Sequence, residues 1–348
     1  MSVKRKLQKK KWRDRRSKKL QQKWYGREER INGGSGLRIN DVEKDYNNQH
    51  QFKAQLPQSF SLIDNTQETI GCFNRIINVI EKKKFGQKFF LDASEVKFVT
   101  IEALIYMIAV VYNIKANRMW KYSFEGNLPR EKEANEVFKK SGYLNYFRMK
   151  QLKMPDSSDC VQIVSGTIME PNVARNICDF VIDKLQIRRS NRKIKILYRI
   201  LVELMTNTAK HAYQNRSKTM VNSWYLYAIH EGEKVRFSFV DTGEGIPSTI
   251  KKKILELVNP KMEDSKFIEA AFVEEGRSET GLSHRGKGLR QLYKDVQEYE
   301  IDDFFVLSGA GSCLYNEKER KLELLDYPHK IYGTIFSFTV RKENVECI

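Results

Sequence analysis

Three short segments in the second half of the chain combine carboxylates, an amide, cations and glycines at spacings that could form a ligand-binding or catalytic site. They read ELMTNTAKHA at residues 203–212, DTGEGIP at 241–247 and RGKGL at 285–289. The first is typical of a helix face, the second of a turn after a strand, and the third of a loop that opens a helix. Each pattern is common by itself, so their order and separation carry the argument.

The first segment places an acid and an amide one helical turn apart. Glu203 and Asn207 share a stripe with Lys210 and His211. The amide oxygen of Asn207 is neutral and hard, which suits Mg²⁺, an ion that keeps several waters and takes further ligands from phosphates. Glu203 could orient or deprotonate an attacking water. The alternative interpretation is a solvated helix face of ordinary charged residues.

The second segment follows a run, residues 235–240, whose alternation predicts a strand with one buried face. Asp241 ends that strand, where its carboxylate can accept a hydrogen bond from an exocyclic amine. Gly243 and Gly245, just before Ile246, would let the backbone approach a flat base, because they carry no side chain. A hairpin turn without a ligand is the alternative.

The third segment places Gly286 and Gly288 where a loop becomes a helix, followed by Leu289. Free backbone N–H groups and the positive end of the helix dipole favour phosphates there. Arg285 and Lys287 add positive charge, and the sequence does not show which of them points inward. A glycine-containing helix start without a ligand is the alternative.

In this order, and with the predicted strand YGTIFSF at 332–338, the segments resemble the GHKL superfamily of gyrase, heat-shock chaperones, histidine kinases and MutL. The resemblance covers roughly 150 residues. It implies a Bergerat-type α/β sandwich, a mixed sheet covered on one face by helices, with ATP and Mg²⁺ as cofactors.

The resemblance also implies a role for each matching residue. Glu203 matches the hydrolytic base, Asn207 the magnesium ligand and Asp241 the group that binds the adenine amine. The other matching positions would line the nucleotide: Gly243, Gly245, Ile246 and Thr334 at the base, and Lys210, His211, Arg285, Gly286, Lys287, Gly288 and Leu289 at the phosphates. The segment 248–285 would form the lid.

An earlier unit, residues 52–150, alternates short predicted strands and helices, which is typical of a small α/β domain. One of those helices is expected to begin after Thr100 as its N-cap. The unit resembles STAS-like domains in FLD at 90–92, FVT at 98–100, GNLP at 126–129 and SGY at 141–143. Ile101 and Glu102 stand where phosphorylated members carry a serine. We therefore interpret the unit as a docking or structural module for a protein partner.

Charge and composition divide the rest of the chain. Of the net charge of +18 over 348 residues, +11 falls in residues 1–30, which hold 14 Lys/Arg against 3 acids. Residues 1–36 are therefore expected to form a basic arm, disordered in isolation, that can contact nucleic-acid phosphates. Residues 151–189 are expected to be a connector and a helix, and 190–342 the ATP-binding unit.

Cysteine usage and hydropathy bear on location. The five cysteines are scattered without a Cys-x-x-Cys pair, which is typical of a reducing cytoplasm and gives no support for a zinc site. No run of about 18 apolar residues occurs, so no transmembrane helix is expected. We therefore expect a cytoplasmic protein.

Three functions remain open from the sequence. The chain is expected to be a magnesium-dependent ATP switch or slow ATPase, in a bacterial regulatory or defence system by analogy. The first alternative is a serine/threonine protein kinase of the anti-sigma-factor type. The second is a nucleic-acid-binding protein whose engagement ATP controls. A conventional histidine kinase is disfavoured because no histidine lies between His50 and His211. Whether the chain forms a homodimer stays open.

Overall fold

The computed structural model describes residues 38–39, 51–82, 87–117, 122–146, 158–211, 223–254, 262–273, 287–298 and 300–342. The predicted basic arm, residues 1–36, lies outside these ranges. So do Arg285 and Gly286, and the side chains of Lys210, His211 and Lys287 are also outside what the structure describes.

The described residues form eight α-helices and thirteen strands, which confirms the mixed α/β class. The helices are α1 (Thr66–Lys82), α2 (Ile101–Asn117), α3 (Lys132–Lys140), α4 (Pro171–Leu185), α5 (Arg192–His211), α6 (Ile246–Ile254), α7 (Asp264–Val273) and α8 (Lys287–Gln297). The strands are β1 (Arg38–Ile39), β2 (Gln51–Gln55), β3 (Ser59–Phe60), β4 (Gln87–Asp92), β5 (Phe98–Val99), β6 (Tyr122–Gly126), β7 (Cys160–Gly166), β8 (Trp224–Glu231), β9 (Lys234–Asp241), β10 (Asp302–Ser308), β11 (Gly311–Asn316), β12 (Lys321–Asp326) and β13 (Thr334–Arg341). No helix among the described residues has the length and apolar character needed to cross a membrane.

The first unit contains a four-stranded parallel sheet in the order β1-β6-β4-β2. Parallel neighbours need long crossovers, and α1 and α2 supply helical ones. Thr100 precedes α2 as expected and its carbonyl accepts from the Leu104 N–H at 3.4 Å. Its hydroxyl, however, has no hydrogen-bond partner among the described residues, so the expected side-chain cap is not formed.

The second unit is built on a seven-stranded sheet in the order β12-β11-β10-β13-β9-β8-β7. Every pairing that the structure describes in this sheet is antiparallel, whereas the sequence suggested a mixed sheet. Its strands join largely through short hairpins, such as the two-residue turn between β8 and β9, and hairpins require antiparallel neighbours. Strand β7 lies in the segment expected to be a connector, and it pairs antiparallel with β8 at the edge of the sheet.

The two faces of the large sheet are covered by different parts of the chain. Phe237 and Phe239 point to a core shared with α4, α5, α7 and α8. Val240, on the opposite face, points to a core shared with the first unit. The sheet is therefore covered on both faces, while helices on one face alone were expected.

Helix α2 is the element that joins the two units. Its residues 103–111 are almost completely buried on every side, as expected for a helix enclosed by other structure. At its first turn the buried Glu102 carboxylate accepts a hydrogen bond from the Ser238 hydroxyl of β9 at 2.5 Å. Farther along, the Tyr106 hydroxyl accepts from the backbone N–H of Tyr332 at 2.9 Å. The first unit therefore supports the strands that lead to Asp241 and Thr334.

The first part of the segment 248–285, which was expected to be a lid, packs against the rest of the second unit. Most of α6 and all of α7 fall within it, and Phe267, Ile268 and Phe272 of α7 are buried in the second core. Asp264, at the start of α7, accepts from the Ala310 N–H at 2.8 Å. Apolar residues at helical spacing hold this part of the segment against the sheet.

The close approach of Gly333 to the backbone of Asp241 can be tested through its effect on stability. Gly333 has φ +83° and a Cβ there would overlap the carbonyl oxygen of Asp241, whereas Gly232 has φ +67° and open space around it. Gly232→Ala is expected to cost about 1 kcal/mol through backbone strain alone. Gly333→Ala should cost roughly 2 kcal/mol more, because clash is added to strain. Chemical denaturation of both variants measures the difference, and equal losses would contradict the close approach.

Candidate functional site

One row of directly paired residues crosses the large sheet at the end where Asp241 lies. Ser308, Thr334, Asp241 and Trp224 are successive cross-strand partners on β10, β13, β9 and β8. Directly opposite residues in antiparallel strands point to the same face. This row therefore faces the helices α4, α5, α7 and α8, and the sequence prediction that Asp241 ends a strand is confirmed.

The Asp241 carboxyl group is closely surrounded by protein, although the residue keeps part of its surface exposed. It accepts from the Gly243 N–H at 2.7 Å and from the Thr334 hydroxyl. Burial raises the pKa of this carboxyl to about 6, and the two hydrogen bonds oppose that rise. A carboxylate has about four acceptor sites, so two bonds leave capacity for a donor from a ligand.

A buried hydroxyl pair continues the row from Thr334. The Ser308 hydroxyl lies 3.0 Å from the Thr334 hydroxyl and 3.0 Å from the Gly333 carbonyl, and it accepts from the Ile246 N–H at 2.9 Å. Thr334 gives its only proton to Asp241, so the single proton of Ser308 goes either to the Gly333 carbonyl or to the Thr334 oxygen. These contacts fix the rotamer of Thr334 and, through it, the direction of the Asp241 carboxylate.

In the turn after β9, Gly243 and Gly245 are required for different structural reasons. A Cβ on Gly243 would come to 2.9 Å from Asp241 Oδ1, so its absence leaves the carboxylate in place. Gly245 has φ +80°, and a Cβ there would come to 2.9 Å from Ser308 Oγ and 3.0 Å from the Gly333 carbonyl. Gly245 thus lies against the sheet, which is a structural requirement, and Ile246 is buried in the adjoining core.

Helix α5 brings the first segment to the same face of the sheet. Its apolar stripe, including Leu197, Leu201 and Leu204, is buried, as its spacing predicts. Glu203 and Asn207 are partly exposed on another stripe of the helix.

Helix α8 meets α5 at Glu203. The chain passes so close to this side chain that a Cβ on Gly288 would overlap the Glu203 carboxylate. The acid therefore lies at the first turn of α8, beside the free N–H groups of the helix start. Leu289, the next residue, packs against the second core.

The structure thus collects the predicted residues into two groups on one face of the sheet. Asp241, Thr334, Gly243 and Gly245 form the group on the strands. Glu203 and Gly288 meet where α5 contacts α8, with Asn207 one turn farther along α5. Lys210, His211, Arg285, Gly286 and Lys287 stay predictions, because their positions or side chains lie outside the described residues.

Sequence reasoning missed Ser308 and Trp224. Both stand at the ends of ordinary apolar strands, and only the pairing of β8 and β10 with the central strands shows that they share a row with Asp241. Trp224 donates its indole N–H to the Ile168 carbonyl at 2.7 Å and stacks on Phe239, which makes it a packing residue. Within the described ranges, no three His, Cys, Asp or Glu side chains are grouped so as to hold a metal.

The raised pKa of Asp241 predicts how the ligand-free protein responds to pH. Because the folded-state pKa lies near 6, above the ordinary value of 3.8, this carboxyl favours the folded state most at low pH. That contribution is lost as pH rises from about 4 to about 6 and stays lost above. Asp241→Asn should therefore stabilise the ligand-free protein at pH 7.5 by roughly 1–3 kcal/mol and have little effect at pH 4.

Denaturant unfolding of both proteins at the two pH values measures this difference. Ser308→Ala serves as a control that alters the same row without changing a titrating group. An Asp241→Asn variant that is less stable than the parent at pH 7.5 would contradict the burial of a charged carboxylate.

No protein-family model matches this chain, and no curated protein is significantly similar to it. What can be inferred of its function therefore depends on the residues of the site themselves.

Proposed function

We propose that the chain is an ATP-binding protein of the GHKL type, acting as a magnesium-dependent ATP switch or slow ATPase. The observation that carries the proposal is the Asp241 carboxylate, buried at a strand end, oriented by Thr334 and left uncovered by Gly243. A Bergerat-type arrangement for the second unit and a STAS-like one for the first are part of the same proposal.

Asp241 suits adenine because of what it can and cannot bind. A carboxylate only accepts hydrogen bonds, and adenine presents an exocyclic amine as a donor. Guanine presents a carbonyl at the corresponding position, which would face the negative charge without a proton between them. Thr334 and Ser308 hold the carboxylate in one direction, so the site selects the base with few added contacts.

The helix side of the site suits phosphates and a cation. The first turn of α8 offers N–H groups and the positive end of the dipole, and Arg285, Gly286 and Lys287 precede or begin that turn. Lys210 and His211 end α5 on the stripe of Asn207. Since the described residues offer no cluster of metal-binding side chains, Mg²⁺ would take phosphate oxygens and water, with Asn207 as its protein ligand.

Glu203 is the candidate base for hydrolysis. Its carboxylate lies at the start of α8, the end of the helix to which phosphates would bind. A carboxylate there can accept a proton from water that attacks the terminal phosphate. Bound Mg²⁺ would supply charge neutralisation of the phosphates.

In this proposal only part of the surface of the first unit is available to a protein partner. Helix α2 is enclosed between the two sheets, so a protein partner of this STAS-like unit would use its other surfaces. Its contacts at Ser238 and Tyr332 connect it to the two strands of the base-binding side.

Calorimetric titration with ATP, with and without Mg²⁺, tests the assignment. Asp241→Asn should abolish binding, since the Gly243 N–H occupies the amide oxygen and the NH₂ group then meets the adenine amine as donor against donor. Asn207→Ala should lose only the magnesium-dependent part. Glu203→Ala should keep ATP binding and lose turnover by about 100-fold or more. Leu325→Ala, an exposed residue on β12, is the matched control. Undiminished affinity in the Asp241 variant would refute the pocket.

The fate of the terminal phosphate separates the ATPase from the protein kinase. Incubation of the full chain with γ-labelled ATP and cell extract should give labelled inorganic phosphate that depends on Glu203. Label transferred to a protein instead would replace the ATPase interpretation with the kinase one.

A further inference from the structure

Helices α5 and α8 run antiparallel and are joined by polar contacts at several levels. At one end Arg192 pairs with Glu298 at 2.6 Å and with Glu300 at 3.2 Å. Closer to the site, Arg199 of α5 pairs with Asp295 of α8. These contacts lie on the same side of α5 as Glu203, which is one turn beyond Arg199.

The pair between Arg199 and Asp295 differs from the outer one in its burial. The Asp295 side chain is 2% exposed, and the Gln291 amide also donates to it at 3.3 Å. In the outer pair, Arg192 is 65% and Glu298 54% exposed. A buried carboxylate that loses its cation is left with an uncompensated charge, whereas an exposed ion pair contributes little. Asp295 therefore restricts where α8 can lie, and Glu298 does not.

The position of Asp295 on Arg199 determines which residue of α8 meets Glu203. Gly288 is seven residues, or two turns, before Asp295, and Glu203 is one turn after Arg199. Gly288 meets the Glu203 side chain with no room for a Cβ. A slide of α8 along its axis by the rise of one residue, about 1.5 Å, would move Gly288 off Glu203 and leave the carboxylate against a different part of the first turn.

We propose that Arg199 and Asp295 are a positioning pair for the triphosphate. The pair holds the first turn of α8 at Glu203, and so it governs phosphate binding and turnover without affecting base recognition by Asp241. The proposal rests on the proposed function for the identity of the ligand. The pair should also position α8 in the ligand-free protein.

The test compares full-length Arg199→Met and Asp295→Asn with Glu298→Gln, which removes only the exposed carboxylate of the outer pair and leaves Arg192 bound to the largely buried Glu300. Binding of Mg²⁺–ATP and of AMP is measured by calorimetry, and turnover by phosphate release. The two inner variants should bind ATP on the order of tenfold more weakly and turn it over up to about 100-fold more slowly. Their AMP affinity should change less than about twofold, and Arg199→Lys, which keeps the charge, should recover most of the loss.

Hydrogen exchange without ligand gives a second readout that needs no nucleotide. In Arg199→Met the amides of residues 291–294, whose N–H groups bond to the carbonyls of the first turn of α8, should exchange at least about tenfold faster, while those of β10 stay protected. Glu298→Gln should change neither region. Faster exchange in both regions, or equal losses of AMP and ATP affinity, would make the pair a general stability element and overturn the proposal.

The two proposals can fail separately. If the parent protein binds no ATP, the proposed function fails, and the exchange at residues 291–294 alone decides whether the pair positions α8. If the parent binds ATP and the inner variants behave like Glu298→Gln, the positioning role fails while the proposed function stands.

Discussion

The hydrogen bond from the Thr334 hydroxyl to the Asp241 carboxylate is the contact on which the base-binding side depends. Burying a carboxylate at a strand end is unfavourable, and this bond together with the Gly243 N–H offsets part of that cost. Thr334 can reach Asp241 because the two are direct cross-strand partners. Their strands are held from the other face by the first unit, so the site requires both cores.

The enclosed helix α2 explains why the two units form one structure. A sheet with helices on one face leaves a second apolar face, and the large sheet covers it with α2 instead of leaving it to solvent. The buried Glu102 has its hydrogen-bond donor on β9, and the buried Tyr106 hydroxyl has its donor at Tyr332, just before Thr334. Polar groups buried in such an interface must be satisfied, so they fix how the helix lies across the strands.

The sequence predicted those parts of the fold whose signals are local. Alternation placed Asp241 at the end of β9, and the pattern of residues 203–212 predicted a helix where the second half of α5 lies. It did not predict β7 or the row through Ser308, because pairing depends on which strands become neighbours. It also missed the pairing of Arg199 with Asp295, since 96 residues separate them and each resembles an ordinary surface charge.

The two sides of the candidate site are stabilised in different ways, and this has a consequence for function. The base side is built from cross-strand bonds inside two cores, so changes there alter folding and binding together. The phosphate side depends on one helix resting on another through the pair of a half-exposed arginine with a buried aspartate and through a glycine contact. A change there can alter the position of α8 without unfolding the sheet. A switch that responds to the terminal phosphate would therefore act through α8, while the base stays bound to strands that do not need to move.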